Sequence, residues 1–557
     1  MDRDFVGTAP SYDYSAVQAG QIRILQLAPG KKGDPFVGEL ITTQLDQKSI
    51  EYDALSYMWG DPAPTDVIWI SEKALPIANN LQNALAHLRH EDSPLIIWID
   101  AICIDQNNEP ERAQQVQLMG RLYGSAQMVR IWIYEPDIDQ KSEAVVSLQT
   151  FPREKIDPNT DDTSLLLQRS GHDPEFWNPV LPLFRNAYWS RAWYDESPPK
   201  HHFLCTGPVD EITSMNSRGR LCLDLYHLLG TSSVECSRPQ DHIYAIMHLA
   251  SDYEEGGILV DYSKNGYEVA VDAAAYHVRK HSNVRFLEGA YLELPGGLSG
   301  RSERFPDETT WVPRSWYGHG EPGWSFTSFY EAAITWCAPD AVLADERILR
   351  LRGFKVDRAD INLTSGFDTN CYTANHLWTS PLGQYLRDFA KVGSPKLPVE
   401  TFKVLESNKH LELILYEATI SALAVLLSLV DDPKHIYEKL IEELTPNRSL
   451  FQDVDKLIWI ALTHIFRCLY SSMIIMTESK RLAWTPKCIV QKGDEVWVVL
   501  GCNVPVVLRP LPNGRYWHIC GAGIPMIQEH ELLQNLSSDI APGDRVGEWV
   551  VEDIELV

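Results

Sequence analysis

The chain is poor in basic residues for its size. Its 49 lysines and arginines are outnumbered by 76 aspartates and glutamates, which gives a formal net charge of −27 over 557 residues. A surface this acidic repels phosphate backbones and anionic lipid headgroups. The composition therefore argues against a nucleic-acid partner and against docking to an anionic membrane.

Long hydrophobic runs are also lacking. The longest apolar stretch, 418–430, is too short to cross about 30 Å of hydrocarbon. A second run, 457–476, contains His464 and Arg467, so both runs predict buried helices and no membrane span. Residues 1–5 show neither the basic region nor the apolar region of a secretory signal, so we expect a cytoplasmic protein.

The cysteines form no close pairs. The chain has 10 of them, and the shortest separations, such as that between Cys222 and Cys236, exclude the clustered spacing of zinc sites and small disulfide scaffolds. His87 and His90 share a helix face, but no third ligand accompanies them. The sequence predicts a reduced intracellular protein with no metal site and no required cofactor.

Strand-like and helix-like patterns alternate over the first 140 residues. Short apolar or alternating runs predict strands at 21–27, 37–42, 52–59, 66–70, 95–99 and 128–134. Helical spacing follows two of these runs, after a cap at Asn79 or Asn80 and at 111–123. This alternation of strands and helices predicts an α/β domain with a parallel sheet. In that sheet, 95–99 is a central strand buried on both faces.

The rest of the chain changes character several times. A polar insertion is predicted at about 140–180, helices dominate 377–476, and strands at 495–500, 506–509 and 516–520 predict a small antiparallel β unit. The predicted domains are 1–262, a connecting mixed region 263–376, a helical region 377–476, and a β-rich C-terminal unit 477–557.

Two of the predicted strands end in residues suited to a ligand site. Asp100 and Asp105 follow the strand at 95–99, and Tyr57, Trp59 and Gly60 end the strand at 52–59. Ligands of open parallel sheets bind beyond the carboxyl ends of the strands, so we expect these two tips to meet over one edge. The alternative is that both aspartates only cap the following turn or helix.

Several ordered blocks in this sequence are similar to a known family. Residues 52–60 resemble the first signature block of the fungal heterokaryon incompatibility (HET) domain. The second block is matched by 80–85, 98–106 and 111–116, and the third by 189–193. Further similarity covers 238–245, 261–263, 493–496, 505–509 and 521–524. The resemblance is strong from about 22 to 262 and patchy beyond.

The resemblance implies a cell-death effector of fungal non-self recognition that associates with a protein partner or with itself. HET domains resemble Toll/interleukin-receptor (TIR) domains, which implies a flavodoxin/TIR-like parallel sheet. Some TIR domains hydrolyse NAD with a glutamate that follows a Ser-x-Trp motif, and here that motif falls on 190–196. The implied catalytic residues are Glu196 and Asp100. NAD as substrate would be bound by Tyr57, Trp59, Gly60, Asp105, Arg112 and Arg191.

Arg112 and Arg191 would anchor the phosphates of NAD, because the other charged members of this set are acidic. The alternative for both arginines is a structural ion pair with nearby acids.

The sequence departs from the family pattern at two places. Without a gap, Glu196 falls where the family has glutamine and Ser197 where it has glutamate, and Asp105 replaces the usual asparagine. These changes keep two other functions open. One is a HET-like scaffold recruited to small-molecule biosynthesis, with His201 or His202 as a general acid or base. The other is a non-catalytic interaction module.

Overall fold

A computed structural model provides the coordinates of the chain. It describes residues 10–47, 50–133, 188, 224–231, 236, 238–291, 309–317, 342–345, 347–362, 472–479, 481–486, 488–524 and 540–557. The predicted insertion at 140–180 lies outside the described residues, as do Arg191, Glu196, His201 and His202 and most of the predicted helical region 377–476. The chain divides into two compact units, 1–269 and 270–557.

The first unit contains a seven-stranded sheet of mixed direction. Its strands are β1 (Gln21–Leu27), β2 (Phe36–Gln44), β3 (Asp53–Tyr57), β4 (Pro64–Ile70), β5 (Lys73–Ala78), β6 (Leu95–Trp98) and β7 (Val129–Trp132), in the order β5-β4-β2-β1-β6-β3-β7. The ladders β6–β3, β3–β7 and β2–β4 are parallel, whereas β1–β2, β1–β6 and β4–β5 are antiparallel. The predicted α/β class with parallel strands is confirmed, but the sheet is not wholly parallel, because short connections make antiparallel pairs of β1–β2 and β4–β5.

The described helices pack around this sheet or follow it in the chain. They are α1 (Asn79–Leu88), α2 (Asp100–Cys103), α3 (Glu109–Ser125), α4 (Leu225–Thr231), α5 (Asp241–Tyr244) and α6 (Gly266–His281). Short 3-10 helices cover Leu45–Gln47, Met247–Leu249, Arg285–Glu288 and Arg314–Trp316. In α1 the buried residues Leu81, Ala84 and Leu85 form the single stripe that the sequence spacing predicts.

Strand β5 was not predicted from the sequence. A two-residue turn joins it to β4, and both turn residues, Ser71 and Glu72, have positive φ values of 50° and 66°. Turns of this kind usually carry asparagine or glycine, which tolerate a positive φ. Since the turn has neither residue, the sequence gives no signal for this hairpin.

The interior of the first sheet is centred on β6. Ile97 and Trp98 have no exposed surface, and β6 lies between β1 and β3. The continuous apolar run therefore predicted an inner strand correctly, although only one of its two neighbours is parallel.

The second unit contains an eight-stranded sheet. Its strands are β8 (Val342–Asp345), β9 (Ile348–Asn362), β10 (Ser472–Thr477), β11 (Leu482–Pro486), β12 (Glu495–Val499), β13 (Val506–Pro510), β14 (Tyr516–Gly521) and β17 (Glu552–Leu556). A separate hairpin consists of β15 (Arg545–Val546) and β16 (Trp549–Val550). The long strand β9 pairs with both β12 and β17, so the ladders β9–β12–β13–β14–β17–β9 close on themselves. Apolar residues of this sheet, among them Phe354, Val498 and Ile519, share one buried core.

Parts of the C-terminal prediction were wrong. Residues 472–476 were assigned to a helix but belong to β10, because a short apolar run has no periodicity that separates a buried helix from a buried strand. The β region was expected to begin at 477, yet β8 and β9 belong to the same sheet. One ladder, β14–β17, is parallel.

In the described part of the chain, no helix is both long enough and apolar enough to span a bilayer. The cysteines found there are all free thiols, namely Cys103, Cys236, Cys488, Cys502 and Cys520.

Candidate functional site

The two predicted tips meet at one edge of the first sheet. Strands β3 and β6 are parallel neighbours, so both chains leave the sheet at the same edge. There the indole Nε1 of Trp59 donates to Oδ2 of Asp100 at 2.9 Å. We call this region, marked by Trp59 and Asp100, the carboxyl edge, and its assembly from two strand tips confirms the geometric prediction.

Trp59 presents its ring at the carboxyl edge. The side chain is 41% exposed, whereas Tyr57, which ends β3, is buried. Gly60 follows with φ of +69°, a left-handed conformation that side chains other than glycine rarely adopt. Because Asp100 accepts the only polar hydrogen of the indole, Trp59 has its aromatic face left to offer a ligand.

Asp100 uses both carboxylate oxygens within the protein. Oδ2 accepts from Trp59, and Oδ1 accepts from the backbone N–H of Ala101 at 2.7 Å in the first turn of α2. Its backbone oxygen accepts from Nε2 of Gln106 at 2.9 Å. These contacts favour Asp100 as the group that orients Trp59.

Asn80 connects the carboxyl edge to the neighbouring strand. Its Nδ2 donates to the backbone oxygen of Met58, and its Oδ1 accepts from Nε1 of Trp132 at 3.0 Å. The prediction that Asn79 or Asn80 caps α1 was wrong, because the N-cap position is Ala78 and no side chain caps the helix. The side chain of Asn80 instead bridges the ends of β3 and β7.

A buried ion pair supports the loop that follows α2. Nη1 of Arg23 lies 2.5 Å from Oε1 of Glu111, and both side chains are almost fully buried. Arg23 also donates to the backbone oxygen of Cys103, while Glu111 accepts from the backbone N–H of Asp105 at 2.8 Å. Sequence reasoning did not select this pair. The available signal was a single charge inside the apolar strand β1, which requires a buried partner.

Asp105 and Arg112 both make local contacts. Oδ1 of Asp105 accepts from the backbone N–H of Asn107 at 3.1 Å, which closes a short turn. Arg112 donates to the backbone oxygen of Gln106 at 3.2 Å and pairs with Glu109 at 3.4 Å. These contacts agree with the alternative in which Arg112 forms a structural ion pair.

A second arginine, which the sequence reasoning did not select, lies next to Arg112. The guanidinium carbons of Arg112 and Arg238 lie 4.5 Å and 5.3 Å from the ring centre of Tyr262. The Tyr262 hydroxyl donates to Oδ1 of Asp241 at 2.8 Å. Burial raises the pKa of Asp241 to about 6, although Tyr262 and the two arginines oppose that shift.

The chain just before the third signature block is attached to β3. The hydroxyls of Ser56 and Tyr188 are 2.7 Å apart, and both residues are buried. Arg191 and Glu196 follow three and eight positions after Tyr188, outside the described residues. Cys103 is not a nucleophile candidate, because burial raises the pKa of its thiol to about 12.

The described residues form no metal cluster, and the cavity found among them lies away from the predicted site residues. Among the described residues, no group of three His, Cys, Asp or Glu side chains is arranged to hold a metal ion. A cavity of about 250 Å³ is lined by parts of β1, β2 and the end of α3, and by none of the predicted site residues. Among the described residues, the carboxyl edge presents one exposed aromatic ring and polar groups held by hydrogen bonds.

Comparison with known proteins identifies relatives of this sequence. Residues 52–195 match the family described as "Heterokaryon incompatibility protein (HET)". The curated protein "Heterokaryon incompatibility protein 6, OR allele" of Neurospora crassa is 31% identical over 455 residues, which covers 63% of this chain and 66% of the relative. The chain thus spans just under two thirds of that relative's length. No solved structure matches.

Proposed function

Because the chain belongs to the heterokaryon incompatibility (HET) domain family, we propose that it acts in fungal heterokaryon incompatibility as a cell-death effector that hydrolyses NAD. The carboxyl edge is the site of this reaction. The observation that carries the proposal is the hydrogen bond from Trp59 to Asp100, which fixes an exposed aromatic ring beyond two parallel strands.

The ring of Trp59 suits a planar base of the dinucleotide. Aromatic side chains bind nucleobases by stacking, and this contact contributes about 1–3 kcal/mol per base. Asp100 holds the indole from its edge, so the ring keeps one orientation before the ligand arrives. The parallel group β6–β3–β7 also supports the flavodoxin/TIR-like assignment, since such folds bind ligands at this edge.

The proposed chemistry needs one carboxylate near the ribose. Water displaces nicotinamide from the ribose carbon, so that the C–N bond breaks, a C–O bond forms, and ADP-ribose, nicotinamide and a proton are released. A carboxylate stabilises the oxocarbenium-like transition state of such a displacement. We assign this role to Glu196, because both carboxylate oxygens of Asp100 already accept hydrogen bonds within the protein.

The attachment of Tyr188 to β3 supports the assignment of Glu196. Tyr188 is held against Ser56, one residue before the end of β3, and the chain from there to Glu196 is only eight residues long. Arg191 lies within the same short segment and is the second proposed phosphate anchor.

Incubation of the full-length protein with NAD tests the reaction. We expect nicotinamide and ADP-ribose to form in equal amounts, with formation reduced to background in Glu196→Gln. In Trp59→Ala we expect KM for NAD to rise about tenfold, because a stacking contact is lost. Asp61→Asn is the matched control, since Asp61 is an exposed aspartate two residues after Trp59 that, among the described residues, bonds only the nearby backbone N–H of Ala63.

The other functions have distinct outcomes in the same experiments. No nicotinamide release from the unaltered protein would overturn NAD hydrolysis. Binding of an apolar small molecule would then favour the recruited biosynthetic scaffold, and association with a protein alone would favour the interaction module. The incompatibility role is measured separately, as growth arrest when the chain is expressed in a fungal host. We expect Glu196→Gln to abolish the arrest and Trp59→Ala to weaken it.

A further inference from the structure

Two arginines converge on one aromatic ring beside the carboxyl edge. Arg112 belongs to the first turn of α3 and Arg238 to the segment before α5, and their guanidinium carbons lie 4.5 Å and 5.3 Å from the ring centre of Tyr262. We call Arg112 and Arg238 the arginine pair. In a chain of net charge −27, two cations placed together need a specific explanation.

Arg238 has guanidinium N–H donors that make no hydrogen bond within the described part of the chain. Its side chain is 42% exposed, and its closest acidic contact among the described residues is Oε1 of Glu109 at 3.8 Å, beyond hydrogen-bond distance. Arg112 is more enclosed, yet its Nε is buried and has no hydrogen-bond partner in the described part of the chain. Neither guanidinium is therefore saturated.

Glu109 stands between the two arginines without binding either tightly. One oxygen, Oε1, lies 3.4 Å from Arg112 and 3.8 Å from Arg238, and the side chain is 61% exposed. Charge-assisted hydrogen bonds are normally about 2.7–2.9 Å long. An exposed carboxylate held at such long distances is readily displaced by an anion that fits better.

We propose that the arginine pair is a phosphate-binding subsite, and that it takes the diphosphate of NAD in place of the Glu109 carboxylate. Guanidinium groups bind phosphate oxygens through two parallel N–H donors, which a diphosphate can satisfy on both arginines. The subsite itself stands on the arginine geometry, and only the identity of its ligand rests on the proposed function.

Gln106 connects this subsite to the carboxyl edge. Its Nε2 donates to the backbone oxygen of Asp100, and its own backbone oxygen accepts from Nη1 of Arg112. Arg112 is thus linked to Asp100, which orients Trp59, through Gln106 and two hydrogen bonds. The proposal requires that a dinucleotide with its base on Trp59 reach the arginine pair with its phosphates.

The test measures binding of phosphate compounds by calorimetry, without catalysis. ADP-ribose and inorganic pyrophosphate are the phosphate-bearing probes, and adenosine is the probe without phosphate. We expect Arg238→Gln to weaken ADP-ribose binding about tenfold or more, because a charge-assisted bond is lost. We expect Glu109→Gln to tighten it about two- to fivefold, because the competing carboxylate is removed. Adenosine binding should not change in either variant.

Arg121→Gln is the matched control. Arg121 also belongs to α3 and is 39% exposed, and its ion pairs in the described part of the chain are long, at 3.7 Å to Asp46 and 3.6 Å to Glu255. Its loss should leave all three affinities unchanged. If Arg238→Gln proves unstable in thermal unfolding, the tighter ADP-ribose binding expected for Glu109→Gln still tests the proposal.

The subsite and the hydrolysis of NAD are overturned by different results. ADP-ribose affinity that Arg238→Gln and Glu109→Gln leave unchanged would overturn the subsite, even if the protein releases nicotinamide. The expected pair of opposite changes, found without nicotinamide release, would support the subsite and overturn only the hydrolysis. Pyrophosphate binding as tight as that of ADP-ribose would support a phosphate site and overturn the dinucleotide as its ligand.

Discussion

Arg23 and Glu111 illustrate how one buried charge pair holds the backbone of the loop after α2. Arg23 contacts the backbone oxygen of Cys103, and Glu111 holds the backbone N–H of Asp105, so both ends of this short segment depend on the pair. Desolvation of two charges offsets much of their attraction, so the pair contributes more to the conformation of this loop than to net stability.

Removal of only one partner should be severe. In Glu111→Leu, Arg23 keeps its charge in a buried site, and we expect the free energy of unfolding to fall by about 3–5 kcal/mol in urea denaturation. The double variant Arg23→Met/Glu111→Leu should recover most of that loss. Lys73→Met, which breaks an exposed pair with Asp13, should cost less than about 1 kcal/mol. Equal losses in Glu111→Leu and Lys73→Met would contradict the argument.

Asp241 gives the first unit a pH-dependent stability. Burial raises the pKa of this carboxyl from 3.8 to about 6, so between these values the folded protein binds more protons than the unfolded chain. The contribution of Asp241 to stability therefore falls by about 2–3 kcal/mol as the pH rises from 3.8 to about 6. Above pH 6 this contribution no longer changes with pH. Asp241→Asn cannot ionise, so it should be more stable than the unaltered protein at pH 7.5 and nearly equal to it at pH 4. Urea denaturation at both pH values measures this, and an Asn variant less stable at pH 7.5 would contradict it.

At the scale of secondary-structure elements, Asn80 links α1 to the ends of β3 and β7. It lies in α1, donates to the chain that follows β3, and accepts from Trp132 at the end of β7. Its hydrogen bonds therefore tie the residue before Trp59 to α1 and to the end of β7.

Loss of this bridge should be measurable against a neighbour in the same helix. Asn80→Ala removes two hydrogen bonds, so we expect the free energy of unfolding to fall by about 1–3 kcal/mol. Asn83→Ala is the control, because Asn83 bonds His87 only through its backbone oxygen. Similar unfolding midpoints in urea for the two variants would show that the Asn80 bridge contributes nothing.

Periodicity was sufficient to predict most elements of the first unit. The runs at 21–27, 66–70 and 95–99 became β1, β4 and β6 with small shifts. Three of the four residues that helical spacing places on one stripe of α1 are buried, and the fourth, Leu88, is partly exposed. These elements are encoded by local patterns of apolar residues, such as the continuous run of β6 and the helical spacing of α1, which one sequence displays directly. The meeting of Trp59 with Asp100 followed from the same reasoning, because parallel neighbours end at the same edge.

The features that could not be predicted depend on tertiary contacts. Strand direction is one of them, since alternation does not show which neighbour a strand will have. The approach of Arg238 to Tyr262 is another, because these residues lie 24 positions apart in the sequence and more than 100 from Arg112. The sequence prediction missed strand β10 for a third reason, since its apolar run fits a buried helix equally well.

At the scale of the whole molecule, the chain consists of two units that each have a core of their own. Residues 1–269 enclose β1, β3 and β6, and residues 270–557 enclose the core shared by β9, β12 and β14. Each unit also has an internal ion pair with a buried carboxylate. In the first this is Arg23–Glu111, and in the second Arg509 binds both oxygens of Asp494 at 2.8 Å.

Separate cores predict separate unfolding transitions. Two-state unfolding holds for single domains below about 150 residues, whereas a chain of two larger units can unfold in steps. In differential scanning calorimetry we therefore expect two transitions. Glu111→Leu should lower the midpoint of one by several degrees, because it leaves the buried Arg23 without its partner. Asp494→Asn should lower that of the other, because it removes the charge of the buried carboxylate that binds Arg509. A single transition that both variants shift equally would mean that the two cores unfold as one cooperative structure, and the carboxyl edge would then depend on the stability of the C-terminal sheet.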